Sequence, residues 1–93
     1  MTIATTFEAL GDPPRRQIMA FLSGGEAPVN EIAAQFNVSL AAVSQHLKVL
    51  RSSGLVRVRG VAQQRFYAAQ APALADAAVW LAKLAEQAAA PIS

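Results

Sequence analysis

The spacing of the apolar residues changes abruptly within this 93-residue chain. Ile3, Phe7 and Leu10 lie at positions i, i+4 and i+7, on one face of a short helix, and helical spacing continues through the first half of the chain. From Leu55 onward valine alternates with arginine, as expected of a strand with one buried face. We therefore predict a mainly α fold with one small β-hairpin, in a single domain that covers residues 1–93.

Residues that begin or end helices divide the first half of the chain. Asp12 followed by Pro13 is an N-cap with proline at the first helical position. Ser39 can accept hydrogen bonds from the free N–H groups of the helix that follows, and Gly54 lies just past the end of that helix. The predicted helices cover residues 3–10, residues from Pro13 to a stop at Gly24, residues 29–36 and residues 40–53.

The remaining residues predict a hairpin and one long helix. The hairpin covers residues 55–68, with a turn at Gly60-Val61-Ala62, and the helix runs from Ala73 to about Ala90. The apolar arc of this helix is wide, so we expect it to pair with the first helix of a second copy in a homodimer, through residues 1–11 and 72–90. Trp80 is expected in the core or in this interface. The predicted interface residues are Ile3, Phe7, Leu74, Ala78, Leu81, Leu84 and Ala85.

The charges of the chain are unevenly distributed. Eight basic and six acidic residues give a net charge of +2, but no acid lies between Glu31 and Asp76. The rest of the chain carries three cations against six acids. One half of the domain is therefore expected to bind a polyanion such as double-stranded DNA. The cations in the acid-free interval are Lys48, Arg51, Arg57, Arg59 and Arg65.

Residues 29–53 have the layout of a helix-turn-helix, whose second helix enters the DNA major groove. The polar face of that helix contains no acid, and its glutamine and serine suit contacts with base edges, although a solvent-exposed face is the alternative. Leu40 also extends the apolar stripe of Val43 and Leu47, and we favour the core for it. His46 lies on another face and is expected to be structural. The predicted base contacts are Ser44, Gln45, Ala41 and Leu40.

Phosphate contacts are expected from the cations and from two polar side chains. Arg15 and Arg16 lie in the first turn of a helix, against its dipole, so a solvated position, a tertiary contact and phosphate binding all stay open. The predicted phosphate contacts are Ser39, Lys48, Arg51, Arg57, Arg59, Gln63, Arg65, Arg15 and Arg16.

Several motifs resemble those of a known family. They are Phe-Glu-Ala-Leu-Gly-Asp-Pro at residues 7–13, Glu-Ile-Ala at 31–33, Val-Ser-Gln-His-Leu-Lys-Val-Leu at 43–50 and Gly-Leu-Val at 54–56. On these motifs the chain resembles the ArsR family of dimeric winged helix-turn-helix repressors. The resemblance implies about five helices, a two-stranded wing, a dimer built from the first and last helices, and repression through an operator over a promoter.

The chain departs from the metal-sensing members of that family. Such members often carry cysteines at the start of the third helix and an Asp-x-His pair on the last helix. This chain has Ala27-Pro28-Val29-Asn30 and Asp76-Ala77-Ala78 there, with no cysteine and a single histidine overall. We therefore expect no metal site, no thiol sensor and no cofactor.

The sequence thus predicts a sequence-specific, DNA-binding regulator of transcription, which acts as a homodimeric repressor on an inverted-repeat operator. The alternative is a winged-helix protein-interaction module that docks a partner on its last helix. An enzyme is not expected, because no catalytic triad, carboxylate pair or phosphate loop is present. Without an export signal or a membrane span, a cytoplasmic location is expected. The residues identify no small-molecule effector.

Overall fold

The computed structural model describes residues 2–91 and contains, within them, five helices and three strands. The helical part of the expected architecture is therefore confirmed, and the hairpin is present. The elements are α1 (Ile3–Leu10), α2 (Pro13–Leu22), β1 (Ala27–Pro28), α3 (Val29–Phe36), α4 (Leu40–Ser52), β2 (Val56–Val61), β3 (Gln64–Ala69) and α5 (Ala71–Ala89).

Local hydrogen bonds explain where the helices begin and end. The Thr2 hydroxyl accepts from the Thr5 backbone N–H at 3.3 Å, and the Thr5 hydroxyl accepts from the Thr2 N–H, which forms a capping box on α1. The Ser39 hydroxyl accepts from the Ala42 N–H at 3.1 Å, as expected of an N-cap. Asn37 ends α3 in the left-handed conformation, with φ 54°.

Most boundaries agree with the expectation to within one residue, and two features differ by more. The helix α5 begins at Ala71, two residues before the predicted start at Ala73. A proline fits in the first turn of a helix, because the N–H that it lacks would have no acceptor within the helix. The hairpin turn lies at Ala62 and Gln63 instead of at residues 60–62, so Gly60 and Val61 belong to β2. Ala62 supports the tight turn with a φ of 56°.

The hairpin belongs to a three-stranded antiparallel sheet with the order β1-β3-β2. In β1, Ala27 pairs with Tyr67 and Pro28 pairs with Phe66. This strand was not predicted, because two residues are too short to show any alternation. The hairpin, which we call the wing, is thereby attached through β1 to the segment that leads into α3.

The core lies between the helices and the inner face of the sheet. On α4, Val43, Leu47 and Leu50 are buried, as the apolar stripe predicts. Leu40 is 54% exposed, so the expectation that it joins the core is wrong. It is the first residue of α4, and helical side chains lean toward the N-terminus, which directs this one beyond the core. None of the helices in residues 2–91 has the length and hydrophobicity that crossing a membrane requires.

Candidate nucleic-acid interface

A cationic cavity lies between α4 and β3. It has a volume of about 350 Å³, and we call it the α4–β3 groove. Three cations and three hydroxyl groups line it, without a carboxylate. Such a concave cationic surface concentrates positive potential and attracts phosphate groups. The lining residues are Ser44, Leu47, Lys48, Arg51, Ser52, Arg65 and Tyr67.

Two of the four predicted base contacts border different cavities beside α4. Ser44 borders the α4–β3 groove, whereas Gln45 borders a second cavity of about 640 Å³ between α1 and α4. Both side chains are exposed, and so is Ala41. With Leu40 exposed as well, all four predicted base contacts lie on the accessible surface of the helix.

The wing arginines lie on two faces of the sheet. Directly paired residues of antiparallel strands share a face, and Arg57 and Arg59 pair with Ala68 and Phe66. Arg65 belongs to the other face, where it lines the α4–β3 groove. The arginines of the hairpin therefore do not form a single basic face, because Arg65 and the pair Arg57 and Arg59 lie on opposite sides of the pleated sheet. Gln63 is exposed at the wing tip.

Arg59 is bound to an acid that lies far away in the sequence. Its Nε donates to both carboxylate oxygens of Glu26, at 3.1 and 2.8 Å, and its terminal nitrogen forms a further short contact with the same carboxylate. The guanidinium carbon also lies 5.4 Å from the centre of the Phe66 ring. A carboxylate therefore lies among the cations of the wing, although the sequence interval that contains these cations has no acid. The reason is that the pairing of β1 with β3 brings residue 26 next to the wing.

This ion pair shifts the pKa values of both Glu26 and Arg59. The hydrogen bonds from Arg59 hold the pKa of the Glu26 carboxyl below its ordinary value of 4.5. The same bonds raise the pKa of Arg59 above its usual range. Both groups are therefore charged at neutral pH.

Arg15 and Arg16 bind the C-terminal end of α1. Arg15 Nε donates to the Ala9 carbonyl at 2.6 Å, and Arg16 donates to the Leu10 carbonyl at 2.7 Å. The last carbonyls of a helix have no intrahelical donor, so these bonds satisfy them. Of the three possibilities that the sequence left open, the structure supports a tertiary contact for both arginines. These hydrogen bonds occupy guanidinium N–H groups that would otherwise be available to bind a phosphate.

The helices α1 and α5 pack together and leave an apolar surface. The Phe7 and Trp80 rings lie 5.6 Å apart, at an angle of 60°. Ile3, Phe7 and Leu74 are half-buried, whereas the predicted interface residues beyond Ala77 are exposed. Large apolar side chains that remain exposed on α5 are Val79, Trp80, Leu81 and Leu84.

A helix-turn-helix with an exposed polar face, beside a cationic groove and a β-hairpin wing, defines a winged helix-turn-helix DNA-binding protein. Among residues 2–91, no three histidine, aspartate or glutamate side chains lie together in a way that could hold a metal ion.

Comparisons with known proteins agree with this class. Residues 12–58 match the family model described as "Bacterial regulatory protein, arsR family". The chain is 32% identical over 75 residues to the transcriptional repressor SdpR of Bacillus subtilis, an alignment that covers 81% of this chain and 83% of that protein. It is 42% identical over 65 residues to a transcriptional repressor SmtB homolog of Synechocystis, covering 70% of this chain and 49% of that protein.

Solved structures show the same fold. A crystal structure of an ArsR family transcriptional regulator superposes with a TM-score of 0.83 and 30% identity, over 96% of this chain and 92% of that chain. The homodimeric winged helix-turn-helix DNA-binding domain of a possible ArsR-family regulator from Mycobacterium bovis superposes with a TM-score of 0.71 and 31% identity, over 92% and 77%. The chain belongs to the ArsR family of winged helix-turn-helix transcriptional regulators.

Proposed function

We propose that this regulator is a homodimeric repressor that binds an inverted-repeat operator in double-stranded DNA. The observation that carries the proposal is the α4–β3 groove, where Lys48, Arg51 and Arg65 line one cavity without a carboxylate. Phosphates accept most of the hydrogen bonds between proteins and DNA, and they supply affinity without sequence information. The groove is the phosphate-binding part of the proposed interface.

The exposed side of α4 is the part that reads bases. Gln45 can form two hydrogen bonds with adenine, and Ser44 suits several base edges. Ala41 and Leu40, both exposed at the start of α4, can contact a thymine methyl group. The Ser39 hydroxyl accepts from the Ala42 N–H, so its own hydrogen stays available for a phosphate.

The dimer is supported by the surface of α5. Leu81 and Leu84 are 48% and 46% exposed, and Trp80 is 46% exposed beside Phe7. A second copy would cover these side chains, and a two-fold axis would set the two α4 helices one turn of DNA apart, about 34 Å. The similar domain from Mycobacterium bovis is a homodimer, and SdpR is named a repressor.

The proposed repressor senses neither thiol oxidation nor metals. The chain contains no cysteine, and residues 27–30 and 76–78 supply neither thiolate nor imidazole. Borderline and soft divalent metals prefer those two ligand types. Titration with zinc is expected to leave the affinity for DNA unchanged, and release from DNA on addition of zinc would contradict this part of the proposal.

Salt-dependent binding tests the proposed interface. Fragments bound by the purified chain are selected from genomic DNA, and anisotropy is then measured on the selected operator at several salt concentrations. The logarithm of the affinity is expected to fall by about 0.9 per decade of salt for each phosphate that is neutralised. Lys48→Gln should make this dependence shallower by about 0.9 per protomer.

A matched control separates the groove from net charge. Lys83 is exposed on α5, outside the α4–β3 groove, so Lys83→Gln removes the same charge and should leave the salt dependence unchanged. A flat salt response in the unmodified chain, or equal effects of the two substitutions, would contradict the assignment of the groove.

The exposed apolar side chains of α5 also favour a second candidate function, a module that binds another protein through this helix. Light scattering on the pure chain distinguishes the two. A dimer supports self-association, whereas a stable monomer at micromolar concentration favours the partner-binding module.

A further inference from the structure

The wing carries one arginine that a carboxylate already occupies. The Glu26 carboxylate binds the Arg59 guanidinium through Nε and a terminal nitrogen, and the Phe66 ring lies against the same group. Within residues 2–91, the cations that line the α4–β3 groove, Lys48, Arg51 and Arg65, form no ion pair. Arg59 therefore differs from the groove cations in having a carboxylate partner.

The competition is direct, because the same donors serve both partners. A guanidinium binds carboxylate and phosphate in the same bidentate geometry, so one planar edge cannot bind both at once. The side chains of Arg59 and Glu26 are 59% and 34% exposed, and exposed ion pairs add little stability. A phosphate held in place by other contacts can consequently displace the carboxylate.

We propose that Glu26 is an affinity-limiting residue, which withholds Arg59 from DNA phosphates unless contacts made by α4 hold the wing against the duplex. This inference rests on the proposed DNA-binding function. Non-specific binding depends almost entirely on the number of phosphates neutralised, so withholding one arginine per protomer weakens it directly. Binding to the operator has additional contacts with base edges, and these favour displacement of the carboxylate.

The lowered pKa of Glu26 supports the competition, because the carboxylate stays ionised wherever DNA binding is measured near neutral pH. A displaced carboxylate would then lie unpaired near phosphates, and like charges repel. The unpaired acid opposes the wing contact on every sequence, and the operator compensates for it.

Substitution of Glu26 tests the inference. Glu26→Gln keeps the size of the side chain and removes its charge. On random duplex DNA, this variant is expected to bind more tightly, with a salt dependence steeper by about 0.9 per protomer. On the operator the affinity should rise at least as much, because binding no longer includes the cost of breaking the Arg59–Glu26 pair. Thermal unfolding should stay within a few degrees of the unmodified chain, because the pair is exposed.

Two controls isolate the role of Arg59. Glu31 is exposed on α3 and forms no ion pair within the described residues, so Glu31→Gln removes an equal charge without releasing an arginine. The second control is the double variant Glu26→Gln with Arg59→Gln. The steeper salt dependence should be absent from both controls.

The outcomes separate this inference from the proposed function. If the unmodified chain binds DNA with a normal salt dependence, equal effects of Glu26→Gln and Glu31→Gln overturn the inference alone. Weaker binding of folded Glu26→Gln to both DNAs would also overturn it, since Glu26 would then merely orient the wing. If the unmodified chain binds no DNA, the proposed function itself fails.

Discussion

His46 Nδ1 lies 3.6 Å from Asp12 Oδ2, so α4 contacts the residue that precedes α2. Asp12 occupies the N-cap position of α2, but its side chain makes no capping hydrogen bond. Its Oδ2 is buried without a hydrogen-bond partner, and Arg15 lies 3.7 Å away. Burial removes hydration from this carboxylate oxygen, and the Arg15 and His46 side chains both lie within 3.7 Å of it.

This contact predicts that His46 acts on stability. His46→Ala is expected to lower the free energy of unfolding by about 1–2 kcal/mol, because it removes a side chain that contacts the buried Asp12 carboxylate and the packing of a partly buried ring. Urea unfolding at fixed protein concentration measures the change. Gln45→Ala, one residue away and exposed, should alter stability by less than about 0.5 kcal/mol. A loss of base discrimination without any loss of stability would instead make His46 a base contact.

Gln45 is predicted to distinguish one sequence from another. Gln45→Ala should cost about 1–3 kcal/mol of binding free energy on the operator and almost nothing on random DNA, because a hydrogen bond to a base edge exists only at the correct site. Anisotropy titrations on both duplexes measure the difference. Equal losses on the two duplexes would show that Gln45 contributes no sequence readout.

The two faces of the wing predict unequal roles for its arginines. Arg65 lines the α4–β3 groove, whereas Arg57 lies on the opposite face of the sheet. Arg65→Gln should make the salt dependence shallower by about 0.9 per protomer on any sequence, and Arg57→Gln should change it less. Anisotropy against salt concentration measures both. The reverse order would mean that Arg57 contributes more to phosphate binding than the α4–β3 groove does.

Leu81 is predicted to lie in the dimer interface. It is 48% exposed in the single chain, so Leu81→Asp should leave the monomer folded and abolish dimerisation, since it places a carboxylate in a surface where each leucine contributes about 1.5–3 kcal/mol. Light scattering reports the mass. Ala75→Asp introduces the same group at an exposed position of α5 outside the predicted interface and should preserve the dimer. A dimer that tolerates Leu81→Asp must use another surface.

The Glu26 carboxyl is predicted to titrate below its ordinary pKa of 4.5. Because folding lowers this pKa, the ion pair contributes its full stabilisation at pH values above the pKa of Glu26 in the unfolded chain. This stabilisation is lost as the pH falls through the lower pKa of Glu26 in the folded chain. Titration followed by NMR of the side-chain carboxyl measures the midpoint. In Arg59→Gln the midpoint should rise toward 4.5, and an unchanged midpoint would mean that another group holds the pKa down.

The sequence predicted most of the helical fold, because caps and stops such as Ser39 and Gly54 act locally and are readable along the chain. Leu40 was expected in the core but is exposed. The periodic spacing of apolar residues identifies those that share a helix face, but it does not show where along the helix the core ends. Sequence reasoning also missed the link between Glu26 and Arg59. Their proximity depends on a two-residue strand and on register across the sheet, and neither feature leaves a periodic signal.

The short strand β1 has a mechanical consequence. Pro28 pairs with Phe66 of the wing, and the next residue, Val29, begins α3. No residue separates β1 from α3, so we expect the wing and the first turn of α3 to move together. A displacement of the wing on DNA is then expected to shift the start of α3, and a change at the start of α3 is expected to shift the wing.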